Sequence, residues 1–222
     1  MNIQLNFGKL ALGISLVVFP FFLASCGDDE GFASDSIGTP LGAANGCEGV
    51  SYPDWETSNN VLPFPVGQSY QIGLSNCSGP PHSEGAPDQF GIEFKMSVGT
   101  LLTATRKGTI MLVEESGDDF SPTLNYVILR DEDGFFYHYQ NLTKDGALVE
   151  EGDFVEQGDP IGLSGASGNA GAPMLRFVAT RFGDWRPGYQ TSYPITFRNT
   201  TANPKSLIQG ETYRALEFTP ED

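Results

Sequence analysis

The chain has 222 residues, and histidine and cysteine, the side chains most used in nucleophilic and zinc chemistry, are scarce in it. It has two histidines, His82 and His138, three cysteines, Cys26, Cys47 and Cys77, and 28 acids. The spacings of these histidines and cysteines match no zinc-finger pattern. The run Gly165-Ala166-Ser167-Gly168-Asn169-Ala170-Gly171 has the composition of a phosphate cradle. No Lys and no helical pattern follow it, so it reads as a turn. Asp118-Asp119 and Asp131-Glu132-Asp133 could offer carboxylates to calcium, but the second run is too short for an EF-hand loop, and solvated turn acids are the favoured reading. Trp55, Trp185, Tyr189 and Tyr193 either cap a small sheet or form a platform for a glycan or peptide; capping is the favoured role. The 28 acids face only 12 bases, for a net charge of -16. That balance repels phosphate at long range and argues against nucleic acid and anionic lipid headgroups as partners.

Residues 1–25 read as a secretory leader. Lys9 supplies the positive start, and Leu10 to Ala24 is apolar but broken by Gly13, Ser15 and Pro20. Such a stretch is too short and too interrupted for a membrane span. It ends in Leu23-Ala24-Ser25-Cys26, which resembles a bacterial lipobox, with Cys26 as the lipid-modified first residue. Residues 26–46 are acidic and then rich in Gly, Ser and Ala, the composition of a flexible tether. The chain is thus expected in a bacterial cell envelope, held at the membrane only through the Cys26 lipid. The acidic run beside Cys26 resembles a surface-export signal, and the leaflet and face stay open. In an exported protein, Cys47 and Cys77 are expected to pair. The roughly thirty-residue loop they close corresponds to about 3–4 kcal/mol of stabilisation.

Residues 47–222 read as a single domain. No segment keeps a helical period, whereas many alternate in the manner of strands. Phe90, Ile92 and Phe94 point to one side. Leu101 to Val113, with Arg106-Lys107-Gly108 inside it, reads as a hairpin. Tyr126 to Leu129 and Phe135 to Tyr139 flank Asp131-Glu132-Asp133-Gly134, a second hairpin with an Asp-Gly corner. Gln68 to Leu74, Phe154-Val155, Ile161 to Leu163, Leu175 to Phe182 and Ile195 to Arg198 are further strands. The expected fold is all-β.

Several pieces then form an ordered set. A His precedes Gly91-Ile92-Glu93-Phe94, followed by Val98-Gly99-Thr100 with Ala104 four residues on. Tyr139-Gln140-Asn141-Leu142, Gly152-Asp153 with Val155, Ile161-Gly162, and Pro173-Met174-Leu175-Arg176-Phe177 come next, then a tail through Ser192 to Asn199 and Gly210 to Tyr213. From about Leu62 to Ala215 the chain resembles the lysostaphin-type, or LytM-like, zinc endopeptidases, which cut peptide cross-bridges in peptidoglycan. The resemblance implies a twisted antiparallel sheet domain with a duplicated hybrid motif, short hairpins and few or no helices.

The resemblance also implies a zinc held by His, Asp and His, and two further histidines that move protons. This chain departs from that pattern. The first ligand slot falls to His82 or, if the stretch before the strand is read without an insertion, to Gln89. Glu93 stands where the family has Asp, and Asp88 is a poorer substitute because it lies in a loop. Arg176 stands at the third ligand. A guanidinium has five donors and no available lone pair. Its charge about 4 Å from a dication would cost roughly 8 kcal/mol at an effective dielectric near 20. Met174 and Asn141 replace the proton-handling pair; His138, three residues before Asn141, is expected on the other side of the strand. Losing one general base typically costs about 10²–10⁴ in rate.

The resemblance thus implies a vestigial groove built from His82, Glu93, Arg176, Asn141 and Tyr139, with Arg176 paired to Glu93. No cofactor is expected, and the implied partners are peptidoglycan stem or cross-bridge peptides, or a cell-wall hydrolase. The alternative is an active zinc endopeptidase with an altered metal site.

Overall fold

The structure, a computed structural model, describes residues 46–220. The expected leader, Cys26 and nearly all of the tether lie outside the described residues. Eleven strands follow in chain order. They are β1 (Ser69–Gln71), β2 (Ile92–Lys95), β3 (Leu101–Thr103), β4 (Gly108–Glu114), β5 (Tyr126–Arg130), β6 (Phe135–Gln140), β7 (Leu142–Ala147), β8 (Phe154–Val155), β9 (Pro160–Ser164), β10 (Met174–Arg181) and β11 (Thr212–Arg214). No helix occurs among the described residues.

Three sheets form, and neighbouring strands in each are antiparallel. The largest has the order β2-β10-β6-β5-β4-β8; a second has β3-β9-β7, and β1 pairs with β11. Alternation along the strands sorts the large sheet into two faces. Ile92, Phe94, Leu175, Phe177, Ala179, Tyr137, Tyr139, Val127 and Leu129 enter the core, where Leu102, Leu142 and Ile161 of the second sheet join them. The opposite face carries Glu93, Arg176, Gln140, His138 and Tyr126. Cys47 and Cys77 are joined by the expected disulfide, with 5.2 Å between their Cα atoms.

Two expected elements differ. The stretch from Leu101 to Val113 is not a hairpin: β3 pairs with β9, while β4 pairs with β5 and β8. The segment between them crosses from one sheet to the other. It is fixed there because Thr105 N–H donates to the Tyr139 hydroxyl and Thr105 Oγ1 donates to Val61 O. Arg106 is buried against Asp131 rather than exposed at a turn tip. Ile195 to Arg198 form no strand. Their polar backbone groups are taken up instead by side chains: Ser58 Oγ and Asn60 Nδ2 donate to Thr196 O, and Phe197 N–H donates to Asn203 Oδ1. The Asp-Gly hairpin of β5 and β6 forms as expected, and Asp131 Oδ1 accepts Phe135 N–H across its corner.

Candidate functional site

The outer face of the large sheet presents side chains in rows set by strand register. Tyr126, Gln140, Arg176 and Glu93 lie side by side on β5, β6, β10 and β2. Ile128, His138 and Val178 form the next row. Above these rows lies a cleft of about 360 Å³, walled by Pro81, Pro87 and Asp88 on one side and by Pro187, Gly188 and Tyr189 on another.

Arg176 and Glu93 meet on the floor. Arg176 Nε and Nη2 donate to the same carboxylate oxygen, Glu93 Oε1, at 3.1 and 2.9 Å. The pair is charge-assisted, though both donors converge on one oxygen rather than straddling two. His82 completes the group, its Nε2 lying 3.4 Å from Glu93 Oε1. Its Nδ1 is 2.6 Å from Asp88 O. A carbonyl only accepts, so Nδ1 carries the proton of that bond. The ring nests against Gly91, where a Cβ would lie 2.3 Å from His82 Cε1. Nε2 is buried, and its 3.4 Å contact with Glu93 Oε1 falls short of well-formed hydrogen-bond geometry. His82 rather than Gln89 faces Glu93: Gln89 Oε1 instead accepts Gly85 N–H at 2.6 Å. Burial pushes the Glu93 carboxyl up, but the His82 ring and the Arg176 charge outweigh it, and its pKa lies below the ordinary value.

Three expected placements are corrected. Tyr139 is no groove residue: one position off the outer-face parity, it is fully buried in the core with its hydroxyl on Thr105 N–H. Asn141 does not face the cleft either. It sits at the β6–β7 junction with a φ of 66°, and its Nδ2 donates to Ser167 O. The place beside Arg176 belongs to Gln140. Conversely, His138 lies on the cleft side of the sheet, because Asn141 has left the strand and no longer sets its parity. His138 is covered by the Tyr189 ring at 4.9 Å and pairs its Nε2 with Thr180 Oγ1 at 2.9 Å. Burial lowers its pKa to about 3, so it is a neutral, packed imidazole at ordinary pH. Met174, partly buried, shares the outer face with Arg176 two residues on.

Asp88 and Tyr189, disfavoured as ligand and platform in the sequence reading, both line the cleft. The Tyr189 hydroxyl donates to Asp88 Oδ1, and Asp88 Oδ2 lies 4.0 Å from Arg176 Nη1. Burial and then the Asp88 charge push the Tyr189 phenol far above its ordinary value, so it remains a donor. The segment carrying Tyr189 is folded on itself by Asp184, whose carboxylate accepts Gln190 N–H and Thr191 N–H. Trp185, in the same segment, stacks on Phe136 at 5.1 Å, which gives it the expected capping role.

The model of peptidase family M23 matches residues 88–186. That stretch is similar to an M23 domain. The matched stretch contains Glu93 and Arg176, while His82 lies just upstream. Similar solved structures include lysostaphin from Staphylococcus simulans, an antimicrobial peptidase. It is 25% identical over 62% of this chain and 51% of that one, with a TM-score of 0.47. A zinc-containing peptidase from Vibrio cholerae is 24% identical over 57% of this chain and 37% of that one, with a TM-score of 0.43. Pseudoalterin, a deep-sea M23 metalloprotease, is 16% identical over 74% and 98%, with a TM-score of 0.48. The chain therefore spans only part of the first two. No curated protein matches.

The side chains do not fit the zinc that the M23 match implies. His82 Nε2 and one Glu93 oxygen are suitable donors, but the third position holds a guanidinium already hydrogen-bonded to that oxygen. Arg176 has no lone pair to give and adds a positive charge where a dication would sit. Among the described residues no other His, Cys, Asp or Glu completes a group of three.

Proposed function

We propose that this M23-type domain is a catalytically inactive, peptide-binding member of an envelope lipoprotein. The observation that carries the reading is the position of the Arg176 guanidinium, 2.9 Å from Glu93 and next to His82. A cation built into the chain balances the carboxylate that a metal balances in active peptidases. The positions expected to handle protons hold Met174 and Asn141, neither of which accepts and returns one. The cleft persists above the altered floor and is lined by prolines, tyrosines and a few polar groups, as peptide-binding surfaces are. Its ligand on this reading is a peptidoglycan stem or cross-bridge peptide, or the equivalent surface of a wall hydrolase. Anchoring through Cys26 would keep the domain beside such partners.

The test is incubation with purified peptidoglycan. The expected outcome is co-sedimentation with the wall and no release of new peptide amino groups, with or without added zinc. Zinc-dependent release of peptide ends would overturn the reading and favour an active endopeptidase with an altered site.

A further inference from the structure

We infer that the cleft recognises the zwitterionic head of an α-amino acid, a free ammonium and a free carboxylate on one carbon, as found at the end of a diamino-acid side chain. The inference rests on the peptide-binding reading and names the chemistry that the cleft selects. Arg176 and Asp88 form an unfinished pair. Nε and Nη2 of Arg176 are spent on Glu93, while Nη1 makes no hydrogen bond and has Asp88 Oδ2 at 4.0 Å. That distance is an ion pair too long for a hydrogen bond. Asp88 Oδ1 takes the Tyr189 hydroxyl, which leaves Oδ2 open. Both side chains reach solvent, Arg176 at 25% and Asp88 at 18% exposure. One donor edge and one acceptor edge therefore face the cleft side by side, each without a partner of its own. A ligand carboxylate suits Nη1, and an ammonium on the neighbouring atom suits Oδ2.

Charge selects among ligands. A simple anion meets the repulsion of a chain carrying a net charge of -16. A simple cation set against Asp88 leaves Arg176 Nη1 without an acceptor. A net-neutral zwitterion satisfies both edges and leaves the local charge unchanged. The apolar body of such a ligand has Leu124, Ile128, Pro87 and Pro187 to rest on.

The test is fluorescence anisotropy of the full chain with Nε-dansyl-lysine, which has a free α-head. Three further probes have the α-ammonium acetylated, the α-carboxylate amidated, or both blocked. Saturable binding of the first probe, with each single block weakening it about tenfold or more, is the expected result. Asp88→Asn, which retains an acceptor for Tyr189, should weaken the free probe about tenfold and leave the α-acetylated probe unchanged. Equal binding of all four probes, no binding of the free head, or insensitivity to Asp88→Asn overturns the inference. Co-sedimentation with peptidoglycan, run in parallel, separates the two claims. Wall binding without head selection removes this inference alone, whereas loss of both removes the peptide-binding reading as well.

Discussion

Among the described residues, Arg106 and Arg176 each pair with a buried carboxylate, and the two pairs behave in opposite ways. At the corner of the β5–β6 hairpin, Arg106 lies 3.2 Å from Asp131 and 3.1 Å from Asp133. Asp131 also accepts Phe135 N–H and the Tyr137 hydroxyl. In the cleft, Arg176 holds Glu93 and keeps Nη1 in reserve. Burial dominates at Asp131 and raises its pKa despite the adjacent Arg106. At Glu93 burial also pushes upward, but His82 and Arg176 prevail and the pKa falls. The hairpin pair is closed to water and structural. The cleft pair is a quarter open on the arginine side, the character of a site rather than of a brace.

Mutations should expose that difference, starting with the hairpin. Arg106→Ala leaves Asp131 buried without its countercharge and should cost about 3–5 kcal/mol in chemical denaturation. Arg176→Ala should cost less, about 1–2 kcal/mol, because water reaches that side chain and His82 still faces Glu93. Equal losses would erase the distinction between brace and site.

Acid unfolding sharpens the same comparison. The Glu93 contribution is complete above the ordinary carboxylate value of 4.5 and fades as pH falls through its lowered pKa. Glu93→Gln should therefore flatten the loss of stability below that pH. Asp131 carries the opposite sign: its raised pKa means the folded state takes up the proton first, so its stabilising contribution grows as pH falls toward 3.8. Asp131→Asn should steepen the acid loss in the same denaturation series. The smallest effect belongs to Tyr189→Phe, which removes one hydrogen bond to Asp88 and should cost about 0.5–1.5 kcal/mol.

The parts of this architecture that local pattern specifies were legible in the sequence. The Asp-Gly corner announced β5 and β6, alternation marked Ile92 and Phe94 as core, and two cysteines in a chain read as exported announced the disulfide. The Arg176–Glu93 pair was legible through the resemblance, since β10 and β2 place those positions opposite each other. What escaped depends on tertiary context. The crossing between β3 and β4 looks like a hairpin until Thr105 is seen bonded to Tyr139, 34 residues on. Tyr139 and Asn141 were placed in the groove by motif position, whereas strand parity sends the first inward and a left-handed backbone turns the second away. Asp88 and Tyr189, 101 residues apart, meet only because two loops close over the same sheet face. No local signal marks such a contact.

The central claim is that the Arg176 side chain occupies the place of the metal. Zinc titration by calorimetry of the wild-type chain and of Arg176→His tests it most directly. The account predicts no stoichiometric site in the wild type and one zinc per chain in the variant, where His82, Glu93 and the new imidazole can serve together. One tightly held zinc in the wild-type chain would contradict it.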